Sequence, residues 1–213
     1  MRIFVIGDSI SVHYGPYLEK YLRGRIEYAR KEGVGLALKD LNAPQGANGG
    51  DSLRVLTFLK EKAHSGGIAA DLLILNCGLH DIKTTPGTDE KQVPIDNYEA
   101  NLEAIVATTT AMKLPMVWVR TTPCDEHVHN RLSPDFHRFA ADNIAYNEVA
   151  DRVMKEHGVP MIDLYSFTLN CSDQPYIDHV HFTEAIRQLQ GAYIAGWLFA
   201  FFACGFNHDT CGL

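Results

Sequence analysis

Two short motifs near the ends of the sequence carry residue types that could cleave an ester. Ser9 lies in Gly-Asp-Ser-Ile (positions 7–10), directly after the apolar run at positions 3–6, which puts its hydroxyl at the tip of a predicted strand. Asp178 and His181 form an Asp-x-x-His motif before the last long apolar stretch. A serine becomes a useful nucleophile when a base takes its proton, and that base works best when a third group orients it. Ser9, His181 and Asp178 could fill these three roles.

The composition is typical of a globular protein and excludes some partners. The 213 residues suffice for one substantial core, so we expect a single domain over residues 1–213. Hydrophobic residues make up 46% of the chain and charged residues 21%, both ordinary values. The net charge of -7 argues against nucleic acid or an anionic membrane as a partner.

The cysteines and the N-terminus bear on the compartment. The chain has five cysteines and no Cys-x-x-Cys pair, so neither a disulfide framework nor a zinc knuckle is indicated. Cys204 and Cys211 could pair in an exported chain, but free thiols in a reducing compartment are the simpler expectation. No signal peptide precedes the first apolar run, which favours a cytoplasmic protein unless an upstream segment has been removed.

The apolar stretch at positions 192–206 is the one segment that suggests a membrane. It has 15 residues, fewer than the roughly 20 that a spanning helix needs, and Gly196 and Gly205 interrupt it. We therefore predict a C-terminal helix packed on a sheet and no membrane association. The alternative for this apolar helix is a contact between copies in a homo-oligomer.

Apolar runs of strand length alternate with stretches of helical periodicity. The predicted strands are residues 2–6, 34–38, 71–76, 116–121 and 160–163. The predicted helices are residues 14–30, 52–64, 98–112, 136–157 and 183 to about 203. This alternation predicts an α/β fold, a parallel sheet covered by helices on both faces. Ligands of such sheets bind outside the carboxyl ends of the strands, so the segments after the strands should form the site.

With these motifs, the chain resembles the SGNH (GDSL-like) hydrolase family, whose four sequence blocks lie at strand ends of a flavodoxin-like sheet. Positions 7–10 match the first block, and Asp178 with His181 matches the fourth. The second block is a glycine in a loop, for which Gly50 is the better match within positions 47–52. The resemblance spans essentially the whole chain. It implies a three-layer α/β/α sandwich with a five-stranded parallel sheet, and a Ser9–His181–Asp178 triad that needs no cofactor or metal.

The third block departs from the family pattern. The family usually has Gly-x-Asn-Asp, whereas this chain has Gly-Leu-His-Asp, with His80 where the Asn would be. The resemblance implies an oxyanion hole formed by the backbone N–H groups of Ser9 and Gly50, with His80 as the third donor. A neutral imidazole can donate one N–H if Asp81 or a backbone carbonyl fixes its tautomer. The alternative is that His80 only packs or bonds locally, which leaves two backbone donors.

Four residues are candidate substrate contacts. Asp81 follows His80, and Tyr14 and Tyr176 flank Ser9 and Asp178 in sequence. His127 lies in the segment after the fourth predicted strand. For the tyrosines, simple packing is an equal alternative. His127 and His129 form a His-x-His pair that would place both rings on one face of an extended segment, but no second ligand pair stands out, and we predict no metal site.

The sequence therefore predicts a serine-dependent carboxylic ester hydrolase. A short acyl group, such as acetyl, on a carbohydrate or similar polar alcohol is the preferred substrate, because the predicted loops are rich in polar residues and histidine. The alternatives are a lipid esterase or thioesterase, an acyltransferase of the same fold, and a carbohydrate-binding protein with impaired catalysis.

Overall fold

The computed structural model, which describes residues 1–204, is built on a five-stranded parallel sheet in the order β2-β1-β3-β4-β5. The strands are β1 (Arg2–Ile6), β2 (Glu27–Arg30), β3 (Leu72–Leu75), β4 (Met116–Val119) and β5 (Met161–Ile162). The helices are α1 (Ser9–Leu22), α2 (Val34–Ala37), α3 (Ser52–His64), α4 (Ile95–Ala111), α5 (Glu126–Leu132), α6 (Ala140–Glu156), α7 (Leu164–Leu169) and α8 (Glu184–Ala203). The α/β class and the flavodoxin-like strand order are confirmed.

The central strands are apolar because helices cover both faces of the sheet. Every residue of β3 and β4 is buried, and Trp118 in β4 is fully enclosed. Helices α1, α7 and α8 pack together in one layer, while α3, α4 and α6 pack together in another. Gly191 of α8 lies so close to α1 that an added Cβ would come within 2.8 Å of the Leu18 backbone nitrogen.

The predicted C-terminal helix is present in the part of the chain that the structure describes. It packs against α1 and contributes Ile194 and Leu198 to the core. No helix among residues 1–204 combines the length and hydropathy needed to cross a bilayer. Cys211 and residues 205–206 of the predicted apolar stretch lie outside the described residues, so neither the pairing of Cys204 with Cys211 nor the end of the stretch is described.

The prediction for the second strand was wrong. Residues 34–37 form the short helix α2, and the second strand is Glu27–Arg30, inside the helix predicted at 14–30. That helix begins earlier and ends at Leu22, shortly before Gly24, which has a φ of +80°. The strand β2 pairs only with β1 and is at most half buried, so it needs no apolar run. The apolar Leu36 and Leu38, which suggested a strand, are exposed.

The other elements follow their predictions with small shifts. The bounds of α3 agree with the predicted helix, and α4 and α6 differ from theirs by a few residues. The short helices α5 and α7 were not predicted. Because β1 and β3 are adjacent and parallel, the segments that follow them emerge side by side at the carboxyl edge of the sheet. Ser9 follows β1 and His80 follows β3, so the topology brings these two segments together.

Candidate active site

Ser9 is the first residue of α1 and lies almost buried at the end of β1. The Asp8 side chain caps the helix by accepting a hydrogen bond from the Ile10 N–H at 2.9 Å. The Ser9 backbone N–H makes no hydrogen bond within the described chain. A helix N-terminus carries partial positive charge, so developing negative charge beside Ser9 would be stabilised there.

The structure brings Ser9, His181 and Asp178 into one hydrogen-bonded chain. The Ser9 Oγ lies 2.8 Å from the His181 Nε2, and the His181 Nδ1 lies 2.7 Å from the Asp178 Oδ2. The other carboxylate oxygen of Asp178 accepts hydrogen bonds from the backbone N–H groups of Val180 and His181. The imidazole is 1% exposed and therefore held between its two partners. This geometry suits proton transfer from the hydroxyl to the ring.

The environment keeps the Asp178 carboxylate charged. Partial burial alone would raise the pKa of Asp178, but hydrogen bonds from the His181 ring and from the Val180 and His181 backbone hold it well below its usual value. A negative charge at Asp178 favours the Nδ1–H tautomer of His181, which leaves the Nε2 lone pair facing Ser9.

The Gly50 N–H, predicted as an oxyanion donor, is engaged in this structure. It donates to the Asn48 Oδ1 at 3.0 Å. Gly50 has a φ of +74°, and an added Cβ would lie 2.6 Å from the Pro44 Cβ and 2.9 Å from the Arg54 Cδ. Both the backbone conformation and the close packing therefore require glycine at this position. To bind an oxyanion, the Gly50 N–H must release Asn48 or share its hydrogen between two acceptors.

His80 is buried beside the triad with a ring that has no protein partner. It is 2% exposed, and its Nδ1 is enclosed without a hydrogen bond. Burial, aided by the charges of Lys83 and Arg138, lowers the pKa of His80 well below its usual value, so the ring is neutral. A buried N–H group without an acceptor is rarer in proteins than a buried nitrogen lone pair without a donor. The enclosed Nδ1 of His80 therefore carries the lone pair, and the proton is on Nε2. Neither Asp81 nor a backbone carbonyl fixes this tautomer, contrary to our expectation.

Two predicted substrate contacts are structural instead. Asp81 is fully buried, and both of its carboxylate oxygens accept from the Ser52 N–H at the start of α3, at 2.9 and 3.1 Å. Burial raises the pKa of Asp81 to about 7 despite those hydrogen bonds. Tyr14 is 2% exposed and belongs to the hydrophobic core. Neither side chain presents an open surface to a substrate in this structure, which does not support the two predicted substrate contacts.

Tyr176 and His127 line a neighbouring pocket of about 490 Å³. The Tyr176 hydroxyl donates to the Pro123 carbonyl at 3.0 Å, and its ring stacks on Phe182, which directly follows His181. His127 is exposed at the side of the pocket formed by α5. A role for these two residues in substrate binding stays a prediction.

The His-x-His pair does not have the geometry that we expected. Because residues 126–132 form the helix α5, the rings of His127 and His129 do not share a face, as they would in an extended strand. Among residues 1–204, the one group with metal-ligand spacing is Asp178, His179 and His181, whose ligand atoms lie within 4.8 Å. Both ring nitrogens of His181 are already hydrogen bonded, so this group is better described as part of the proton-transfer chain.

The sequence interpretation missed His13 beside the triad. Its ring meets the His181 ring at 5.1 Å in an edge-to-face arrangement. Burial, with the charges of Arg187 and His181, lowers the pKa of His13 to about 4. Its position four residues after Ser9, one turn along the same helix, is a signal that could have identified it.

Arg138 was also missed, and its local sequence gives no sign of its contacts. This nearly buried side chain donates from Nε to the Leu79 carbonyl at 2.6 Å and from Nη1 to the His129 Nε2 at 2.8 Å. The Nδ1 of His129 lies 3.1 Å from the Asn130 Oδ1, which fixes its proton on Nδ1. Arg138 therefore connects α5 to the backbone next to His80.

Several neutral histidines around the site predict a loss of stability in acid. Burial is the main cause that lowers the pKa of His129 to about 3 and that of His80 well below its usual value. In the unfolded chain both histidines become protonated below about pH 6.5, whereas in the folded protein their rings stay neutral. The free energy of unfolding therefore falls as the pH decreases below about 6.5. We expect each of these two residues to contribute a loss of roughly 1–2 kcal/mol between pH 6.5 and 5.

Urea denaturation at pH 7 and pH 5 measures this loss. His129→Gln should make the difference between the two pH values smaller, whereas the same change at the exposed His64 should leave it unaltered. An equal pH dependence in His129→Gln and the unmodified protein would contradict the assignment.

Comparisons with known proteins were consistent with this geometry. A sequence model of the GDSL-like Lipase/Acylhydrolase family matches residues 5–189. A lipase/acylhydrolase from Enterococcus faecalis has a similar structure, with a TM-score of 0.68 and 17% identity over 93% of this chain and 95% of that one. The acetyl xylan esterase AlAXEase has a TM-score of 0.66 and 13% identity over 93% of this chain and 100% of that one.

A third similar structure is Est24, a carbohydrate acetylesterase from Sinorhizobium meliloti. It has a TM-score of 0.65 and 14% identity, over 94% of this chain and 99% of that one. No curated protein matches the chain in sequence. At these identities, the structural similarities show the fold.

Proposed function

The chain belongs to the GDSL-like lipase/acylhydrolase family of carboxylic ester hydrolases, and on that premise we propose that it removes a short acyl group, such as acetyl, from a carbohydrate or similar polar alcohol. The observation that carries the serine mechanism is the continuous hydrogen-bonded chain from the Ser9 Oγ through the His181 ring to the Asp178 carboxylate. It combines a nucleophile, a base and an orienting charge at the carboxyl edge of the sheet.

In the proposed reaction, the Ser9 Oγ attacks the ester carbonyl carbon while the His181 Nε2 takes the hydroxyl proton. The negative oxygen of the tetrahedral intermediate accepts hydrogen bonds, and the alcohol leaves after taking the proton back from His181. Water then attacks the acyl-Ser9 ester, again with His181 as base. The acid is released and the hydroxyl is restored. Asp178 stabilises the charged imidazole at each stage without being protonated.

The proposed reaction assigns three donor groups to the oxyanion. The Ser9 N–H has no partner in the described chain, and it opens α1 where the helix dipole favours negative charge. The His80 ring is neutral and lacks a hydrogen-bond partner, which leaves its Nε2–H for a substrate oxygen. The Gly50 N–H can join them by turning away from Asn48. Such donors act most strongly when they are fixed before the reaction.

A polar alcohol is supported by the surroundings of the triad. The pocket of about 490 Å³ has a mixed lining of polar, acidic and apolar side chains together with the rings of Tyr165 and Tyr176, and Tyr176 stacks on Phe182. Aromatic rings with hydroxyl groups suit the mixed polar and apolar faces of a sugar. Two of the similar structures are named as an acetyl xylan esterase and a carbohydrate acetylesterase, which favours the same substrate class.

A serine-directed phosphonate and a series of esters would test the proposal. We expect an ethyl p-nitrophenyl phosphonate to modify Ser9, as located by peptide mass spectrometry, and to abolish activity. Hydrolysis should be faster for p-nitrophenyl acetate than for the butyrate or octanoate, and acetate should be released from acetylated xylan. A preference for the octanoate would favour a lipid esterase, and the absence of both adduct and turnover would favour a binding protein with impaired catalysis.

A further inference from the structure

Arg138 is a buried cation with no carboxylate partner. Its side chain is 3% exposed, and no carboxylate oxygen of residues 1–204 lies within 4.0 Å of its guanidinium nitrogens. Its acceptors, the Leu79 carbonyl and the His129 ring, are both neutral. Burial of a positive charge is costly unless an opposite charge accompanies it. Burial accordingly lowers the pKa of Arg138 to about 10, a value at which it still carries its charge at neutral pH.

One end of this guanidinium is free to bind. The Nη2 nitrogen makes no hydrogen bond within the described chain and is not fully enclosed. Asp8 and Asp178 attract the charge of Arg138, but neither carboxylate lies within 4.0 Å of its guanidinium nitrogens. Burial raises the pKa of Asp8 despite the attraction of Arg138, and Asp178 is already bonded to His181. The small accessible part of Arg138 is thus a donor with positive charge.

Lys83 is a second cation on the same side of the triad. It is half buried, and its ammonium group donates to the Asn42 carbonyl at 3.1 Å. It too has no carboxylate within 4.0 Å in the described part of the chain. Its Nζ lies 4.3 Å from the centre of the Phe136 ring, and the Arg138 guanidinium carbon lies 5.0 Å from the same centre. The two cations therefore contact the same aromatic ring, and burial together with the charge of Arg138 lowers the pKa of Lys83 to about 8.

Both cations are linked through neighbouring residues to the segments that carry the proposed reacting groups. Arg138 is bonded to the carbonyl of Leu79, the residue directly before His80. Asn42, whose carbonyl holds Lys83, also pairs through its side chain with the His179 ring at 3.0 Å. The His179 ring lies 5.7 Å from the His181 ring. A substrate with its ester at Ser9 could thus extend to Arg138 and Lys83.

We propose that Arg138 and Lys83 bind a carboxylate on the substrate, so that the physiological ester is an acylated acidic sugar or a similar acidic alcohol. This proposal rests on the esterase function above and adds a charge requirement to it. The carboxylate would complete the hydrogen bonding of Nη2 and supply the missing negative charge. One guanidinium nitrogen and one ammonium group match the two oxygens of a carboxylate, with fewer donors than a phosphate or sulfate could use.

The test compares two esters that differ only in this charge. O-Acetylglucuronic acid and O-acetylglucose, acetylated at the same position, differ by a carboxylate in place of a hydroxymethyl group. The ratio of their kcat/KM values is measured by acetate release. We expect the unmodified enzyme to prefer the acid by at least about tenfold, the scale of a hydrogen bond to a charged group. The preference should decrease at high salt.

Substitutions then assign the preference to the two cations. Lys83→Met should reduce the ratio several-fold, and Lys83→Arg should retain most of it. Arg138→Met should reduce the ratio to near one, provided that its thermal unfolding remains cooperative. The exposed Lys155 on α6 gives a matched control, because Lys155→Met removes a positive charge from another surface and should leave the ratio unchanged.

The outcomes separate this proposal from the esterase function. Equal hydrolysis of the two sugars by a Ser9-dependent enzyme would overturn the carboxylate site while leaving the esterase intact. A preference for the acid that survives Lys83→Met and Arg138→Met would also overturn it. A preference for a sulfated or phosphorylated acetyl sugar over the glucuronate would replace the carboxylate with a different anion. Loss of all activity on both sugars and on p-nitrophenyl acetate would instead contradict the esterase proposal.

Discussion

Ser9→Ala is expected to lower kcat on an acetyl ester by about 10⁴-fold or more, because the hydroxyl that attacks the carbonyl is removed. His181→Ala should cause a comparable loss, since Ser9 then has no base at 2.8 Å to take its proton. The two residues act as one unit, so the double variant should be no less active than either single variant. Initial rates with p-nitrophenyl acetate, measured at saturating substrate, give these ratios.

Ser11 provides a matched control for the first substitution. It lies on the same helix and is buried, but its hydroxyl donates to the Asp8 carbonyl at 2.7 Å instead of facing His181. Ser11→Ala should therefore keep most of the activity. Retention of more than a few per cent of the activity by a well-folded Ser9→Ala variant would contradict Ser9 as the nucleophile. Equal losses in both serine variants would point to damage of the helix N-terminus instead.

The sequence predicted those features of the site that depend on short motifs at strand ends. Gly-Asp-Ser after an apolar run located Ser9, and the Asp-x-x-His spacing located Asp178 and His181. In a parallel sheet, the segments that follow the strands lie at one edge of the sheet. The segments after the adjacent, parallel strands β1 and β3 do so in this structure. The structure brings these three residues into one hydrogen-bonded chain, and predicting their positions needed only local sequence and one topological rule.

The parts that were missed depend on burial and on distant contacts. Asp81 and Tyr14 follow the proposed reacting residues closely in sequence, yet both are enclosed, because proximity along the chain does not determine which way a side chain points. Arg138 reaches the Leu79 carbonyl across a separation of 59 residues, which no local pattern encodes. The edge strand β2 was missed because it pairs with one strand only and is at most half buried, so its residues need not be apolar.

His80→Ala is expected to lower kcat by about 10²–10³-fold if the imidazole is the third oxyanion donor, the usual effect of removing one such donor. The basis of this expectation is the neutral, unpartnered ring, which follows β3 next to the strand that leads to Ser9 and interacts electrostatically with His181. The loss should appear mainly in kcat, because the hydrogen bond strengthens as charge develops on the oxygen. A decrease of less than about threefold would contradict the donor role, given that magnitude.

His80→Asn distinguishes a hydrogen-bond donor from a group that transfers protons. Its amide N–H₂ can donate as the neutral ring does, so this variant should recover much of the activity lost in His80→Ala. Because the pKa of His80 is lowered well below its usual value, the ring stays neutral across the working range, and Asn should leave the pH dependence of kcat/KM unchanged. A shifted acidic limb in His80→Asn would show that the ring exchanges protons during turnover. Equal activities of the Ala and Asn variants would mean that the position only packs, leaving the oxyanion to the backbone N–H groups of Ser9 and Gly50.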